Sequence, residues 1–177
     1  MAKRTAGRRQ ATDEVDAIIA AWERERPDLD VASVGVVSRI TRLAARFTAA
    51  MEATFAAHGL TKASFEALAA LRRAGAPYRM SQTDLMRTLS LTPGTVSVRI
   101  DRLVADGLVE REPHAGDRRS VMVRLTRRGE EAFDDVVDAH LETEARLLGA
   151  LTRREWEVLA GLLRRLVLDA EGPEGTP

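Results

Sequence analysis

A mainly α-helical fold carrying one small β-hairpin is the class this sequence predicts, and three observations predict it. Apolar residues recur every three or four positions over long stretches, the period of a helix with one buried face. Capping residues and glycine stops punctuate those stretches. Two short strand-like runs, 108–112 and 121–125, stand eight residues apart, as in a hairpin with a long loop. The 177 residues suffice for one domain with extensions. With 45% apolar and 31% charged residues the chain has both a core and a solvated surface, which excludes wholesale disorder. No apolar run approaches the roughly 18 residues of a membrane span. The basic start MAKRTAGRRQ has no apolar segment after it, so it does not read as a secretory signal. Cysteine is absent, which rules out disulfides and thiolate metal sites and makes the cytoplasm the expected location.

Each element can be justified in order. Residues 13–25 form a first helix with Val15, Ile18, Ile19 and Trp22 on one side, ended by Pro27. A long helix, 31–57, follows, with Val34, Val37, Ile40, Leu43, Phe47, Met51 and Phe55 along one face. Gly59 is placed to end it in the left-handed conformation. Thr61 caps a third helix with Phe65, Leu68 and Leu71 inward, which stops before Gly75-Ala76-Pro77. Residues 78–80 read as a minimal strand, and Ser81 with Asp84 three residues on caps a short helix bearing Leu85, Met86 and Leu89. Ser90-Leu91 is a tight turn. Thr92 then caps a helix with Pro93 in its favoured first turn, running to about 105 and stopping at Asp106-Gly107. After the hairpin, Thr126 opens a second long helix, 127–150, marked by Phe133, Val137, Leu141 and Leu148. Thr152 opens the last, with Trp156, Leu159, Leu163 and Leu166 inward.

Helix, tight turn, helix and hairpin in residues 81–125 make the pattern of a winged helix-turn-helix, a DNA-binding element. Its second helix must bury one stripe and present short polar side chains, so that its backbone approaches base edges. At about 100° per residue, Val96, Ile100, Leu103 and Val104 fall on the buried side. Gly94, Thr95, Val98, Asp101 and Arg102 lie opposite, with Ser97 nearer the edge and Arg99 on the flank. Formal charge is balanced at 27 basic against 27 acidic residues, yet 81–128 holds nine arginines against six acids. A balanced chain therefore still carries a positive working surface.

The run from Leu91 to Pro113 (LTPGTVSVRIDRLVADGLVEREP), then GDRRS at 116–120, then VRLTRRG at 123–129, resembles the MarR family of bacterial transcription regulators. The resemblance covers residues 31–168. It implies a winged helix-turn-helix lobe at 61–126 and a helical dimerisation region made of 31–60 and 127–170. A homodimer would straddle a palindrome in double-stranded DNA, most simply as a repressor. On this pattern the DNA-contacting residues are Ser81, Gln82, Thr92, Gly94, Thr95, Ser97, Val98 and Arg102, with Asp117, Arg118, Arg119 and Ser120 at the wing tip. Residues 1–12 are then a disordered basic arm, 13–30 an extra helix and link, and 171–177 a flexible tail. An extra N-terminal helix bearing a tryptophan is similar to the branch that responds to urate and related anions. The positions matching that branch's ligand site are Trp22, Glu66, Arg99 and Arg111, although the branch pattern has aspartate where this chain has Glu66. The implied effector is a small anionic or aromatic molecule such as a purine or a phenolic acid. The plainer readings of the same residues are a packing anchor at Trp22, an ion pair between Glu66 and an arginine, and a phosphate contact at Arg111.

Two rival classes are weighed against this. An enzyme would need a site, and His58, His114 and His140 are scattered, with no metal-ligand pair, glycine-rich phosphate loop or nucleophile elbow. No catalytic residue, metal or cofactor is therefore expected. A winged-helix module that docks another protein would show an apolar or acidic outer helix face. Gly94, Thr95, Ser97 and Arg102 favour DNA, and Asp101 dissents.

Overall fold

A computed structural model describes residues 12–113 and 121–172. The expected basic arm apart from Thr12, the hairpin loop 114–120 with Asp117, Arg118, Arg119 and Ser120, and the tail from 173 lie outside the described residues. The described chain holds seven helices and three strands: α1 (Glu14–Glu25), α2 (Ala32–Ala57), α3 (Lys62–Arg73), β1 (Arg79–Ser81), α4 (Gln82–Thr88), α5 (Pro93–Ala105), β2 (Val109–Pro113), β3 (Val121–Leu125), α6 (Arg127–Leu147) and α7 (Arg153–Glu171). It divides into two compact units, one up to Ala49 and one from Ala50, with the division inside α2.

In the first unit, α1 is held to the start of α2 by charge. Asp13 caps α1 in a reciprocal box with Asp16. Arg39 of α2 reaches both, its Nε donating to Asp13 Oδ2 at 2.9 Å and its Nη2 to Asp16 Oδ1 at 2.6 Å. Arg42 meets Glu14 at 2.5 Å. The Arg39 guanidinium bound to its side chain lowers the Asp13 pKa to about 2. Val15 is buried, whereas Val37, Ile40 and Leu43 along α2 stay exposed.

The second unit contains the apolar core, where Phe65, Leu68 and Leu71 of α3 meet Leu85 of α4, Val96, Ile100 and Leu103 of α5, and Val109, Val123 and Leu125 of the sheet. The sheet is antiparallel in the order β1-β3-β2, with Arg79 opposite Arg124 and Val109 opposite Leu125. Both ends of this lobe are closed by local hydrogen bonds. After α2, the Leu60 N–H donates to Phe55 O and the Gly59 N–H to Ala56 O. After α5, the Leu108 N–H donates to Leu103 O and the Gly107 N–H to Val104 O. These are Schellman caps, and Gly107 takes the positive φ (70°) they require. The Thr126 hydroxyl at the head of α6 donates to Gly107 O at 2.7 Å. The backbones come so close that a Cβ on Gly129 would sit 2.0 Å from the Leu108 carbonyl oxygen. The LT-x-x-G spacing thus has a steric cause.

The structure corrects several expectations. Strand β2 runs one residue later than 108–112, and α6 ends at Leu147, not near 150, because Leu148 caps it. Val104, assigned to the buried stripe of α5, is exposed; the stripe is Val96, Ile100 and Leu103. On α6 the fully buried apolar residue is Val136, whereas Leu141 is 54% exposed. The His140 ring fills the space beside Val136's turn, 4.6 Å from Phe65 and 5.5 Å from Phe55 between centroids. Leu163 and Leu166 of α7, expected inward, are exposed in the single chain.

Candidate nucleic-acid interface

The element most able to meet a duplex is α4, its turn and α5. Ser81 caps α4, accepting from the Asp84 N–H at 3.0 Å and donating its hydroxyl to Asp84 Oδ2 at 2.7 Å. Gln82 is the first residue of α4 and is half-buried, as is Ser81. The turn closes as the Leu91 N–H donates to Met86 O, with Ser90 at φ 52°. Thr92 caps α5, accepting from the Thr95 N–H at 3.3 Å, with Pro93 in the first turn. Val96, Ile100 and Leu103 then anchor one side of α5 in the core, so the opposite side faces out by geometry.

That outer side is short and polar around one apolar point. Thr92, Gly94, Thr95 and Arg102 are exposed, Val98 is 70% exposed, and Ser97 is half-buried at the edge. Thr92, Gly94, Thr95, Val98, Arg99 and Arg102 line a single open groove of about 550 Å3 beside the first turn of α3. Six predicted site residues are therefore brought together; Ser81 and Gln82 stand apart from them at the head of α4. The four wing-tip residues, Asp117 to Ser120, lie outside the described chain.

Asp101, the acid on this face, has a partner that the one-dimensional reading did not supply. The Arg111 Nη2 of β2 donates to Asp101 Oδ1 at 2.7 Å, tying the outer helix face to the wing. Behind it, Arg124 of β3 is paired with Glu110 and Glu112, and Arg79 of β1 lies 3.5 Å from Glu112. The Glu112 hydrogen bond, aided by the charges of Glu110 and Glu112, raises the Arg124 pKa. These four side chains cross-link all three strands.

Of the four residues matched to a ligand site, two meet. Arg99, its side chain only 17% exposed, donates from Nη1 to Glu66 Oε2 at 3.3 Å, and Lys62 pairs with the same carboxylate. Arg111 is turned to Asp101 instead. Trp22 lies in the first unit, 47% exposed on α1, where Ile18, Ala21 and Glu25 join it around a shallow recess. Lys62 was missed, though its i,i+4 spacing to Glu66 was legible. Among the described residues no group of histidine, aspartate and glutamate is arranged to hold a metal ion. No described helix is long and apolar enough to cross a membrane.

The MarR family model matches residues 58–120. The HTH-type transcriptional regulator PecS of Dickeya dadantii is 37% identical over 153 residues, covering 86% of this chain and 92% of the relative. A structure of Bordetella bronchiseptica BpsR, concerned with regulation of its DNA binding by 6-hydroxynicotinic acid, matches with TM-score 0.66 and 29% identity over 75% of this chain and 92% of that one. A mutant of Escherichia coli MarR complexed with operator DNA shares the fold, with TM-score 0.69 at 24% identity over 83% of this chain and 98% of that one.

Proposed function

This chain belongs to the MarR family of winged helix-turn-helix transcription regulators, and on that footing we propose that it acts as a homodimeric repressor on a palindromic operator, released by a small anionic or aromatic effector. Its relatives are DNA-binding regulators, not enzymes. The observation that carries the reading is the outer face of α5. Gly94 and Thr95 let the backbone approach base edges, Val98 suits a thymine methyl, Arg102 suits a phosphate or guanine, and Asp101 is neutralised by Arg111. An acidic face built for a protein partner would leave Asp101 unpaired, so the docking-module alternative loses its one supporting residue.

Dimerisation is supported by the exposed apolar residues that α2 and α7 each carry, including Val37, Ile40, Leu163 and Leu166, which a second copy would cover. A two-fold axis would then set half-sites about one helical turn apart. Effector release is supported by the Glu66–Arg99 pair. A small acid, of the kind to which BpsR responds, would compete with Glu66 for Arg99 and so bias the position of α5. A few kcal/mol of differential affinity between two lobe positions suffices for release.

The test is a salt titration of binding to the DNA upstream of its own gene. Affinity should fall linearly on a log–log scale, and Arg102→Ala should lower the slope by about one unit, as loss of one phosphate contact does. Binding that is insensitive to salt would overturn the phosphate contacts.

A further inference from the structure

Arg102 borders a second cavity that the groove along α5 does not include. This one, of about 350 Å3 and open to solvent, is bordered by the turn after α2, the first turn of α3, the end of α5 and the start of α6. Its polar lining is His58, Thr61, Ser64, Arg102, Asp106 and Arg128. Two guanidiniums thus face it against one carboxylate. Among the described residues neither Arg102 nor Arg128 forms an ion pair, whereas Arg127, next to Arg128 in the chain, pairs with Glu131. Arg128 runs alongside Gly107, its Cδ 3.9 Å from where a Cβ would stand there. In the same lining the Thr61 and Ser64 hydroxyls lie 2.9 Å apart, and Thr61 also accepts from the Ser64 N–H. Their mutual bond uses one hydroxyl proton, which leaves the other to donate. The first turn of α3 adds the positive end of a twelve-residue helix.

A surplus of fixed positive charge, forked N–H donors and a spare hydroxyl describe a receptor for a compact, multiply charged oxyanion. We propose that this cavity binds a small phosphate-type oxyanion, and that an anion seated there draws Arg102 off the duplex, so that anion and DNA compete. The proposal rests on the reading of Arg102 as a DNA contact and adds a second input, separate from the Glu66–Arg99 pair. A phosphodiester of the duplex offers the same chemistry, but it carries a sugar on either side and would meet Arg102 only from the rim.

Inorganic phosphate is the probe, titrated into the full chain with chloride keeping ionic strength constant. Without DNA, saturable binding should shift the Arg102 and Arg128 Nε–H resonances and raise the melting temperature. With DNA from upstream of its own gene, millimolar phosphate should weaken binding about fivefold, the lower end of typical coupling between sites. In Arg128→Gln, which keeps the side-chain stem beside Gly107, phosphate should neither bind nor alter that variant's own DNA affinity. Arg128→Lys, which keeps the charge and loses the fork, should bind phosphate more weakly than the wild type and more strongly than the glutamine variant. Absence of saturable phosphate binding, or equal binding by Arg128→Gln, would overturn the anion site while leaving the regulator reading intact. Arg128→Gln lowering the salt slope of DNA binding with no phosphate binding by the wild type would assign the cavity to the duplex and also overturn it. Phosphate binding through both arginines in a chain that binds no DNA would sink the regulator reading and leave the anion site standing.

Discussion

Gly129 is the residue whose identity is most narrowly dictated. Any Cβ there would stand 2.0 Å from the Leu108 carbonyl oxygen, backbone that is itself committed to the caps around Gly107. Gly129→Ala should therefore destabilise the second unit by about 3 kcal/mol or more, the upper range for overpacking, as read by urea unfolding. A loss under about 1 kcal/mol would mean that α6 can shift away freely. At the same scale, the Asp101 carboxylate on the outer face of α5 is balanced by Arg111, 2.7 Å from it. Arg111→Ala should weaken DNA binding roughly tenfold, about 1.4 kcal/mol, by exposing that carboxylate to the duplex. Asp101→Ala in the same chain should restore much of the loss. A double-mutant cycle with no coupling would show that Arg111 touches DNA on its own account.

Among the elements, α1 shows how a surface helix is fastened without a large apolar face. Val15 is buried, but the fastening is the Arg39 fork on Asp13 and Asp16. Asp13's folded pKa lies near 2, below its ordinary 3.8, so its contribution is complete above about pH 4 and lost as pH falls through 2. Arg39→Ala should raise the Asp13 pKa from about 2 toward its ordinary value, by carboxyl NMR titration, and loosen α1 at neutral pH. An unchanged titration would assign the shift to the cap N–H groups of Val15 and Asp16. Helix α5 is the complementary case. Three buried residues lock one side, and the other carries the exposed Gly94, Thr95, Val98 and Arg102.

For the whole molecule, the apolar residues that stay in solvent matter as much as those in the core. Leu163 is 39% exposed and Leu166 55% exposed on α7. Replacing both by glutamate should shift sedimentation from dimer to monomer and abolish operator binding, with the far-ultraviolet circular dichroism of the lobe retained. A stable dimer in that variant would place the subunit interface elsewhere.

What the sequence determined alone was the local grammar. The caps at Thr61, Ser81, Thr92, Thr126 and Thr152, and the left-handed stops at Gly59 and Gly107, are all where the one-dimensional reading puts them. Each depends on bonds spanning only a few residues, so the chain carries the whole interaction within one turn. The outer face of α5 was legible for the same reason, since helical periodicity alone opposes it to Val96 and Ile100. Tertiary structure alone decided the partners. Arg39 finds Asp13 at 26 residues' distance, Arg99 finds Glu66 at 33, and Arg111 pairs with Asp101 and not with Glu66. In a chain with 27 acids and 27 bases every pairing is chemically acceptable, and only the packing of elements brings one guanidinium within reach of one carboxylate. The choice of Val136 over Leu141 as the buried mark of α6 has the same origin, because a wheel orders the faces of a helix but not what comes to cover them.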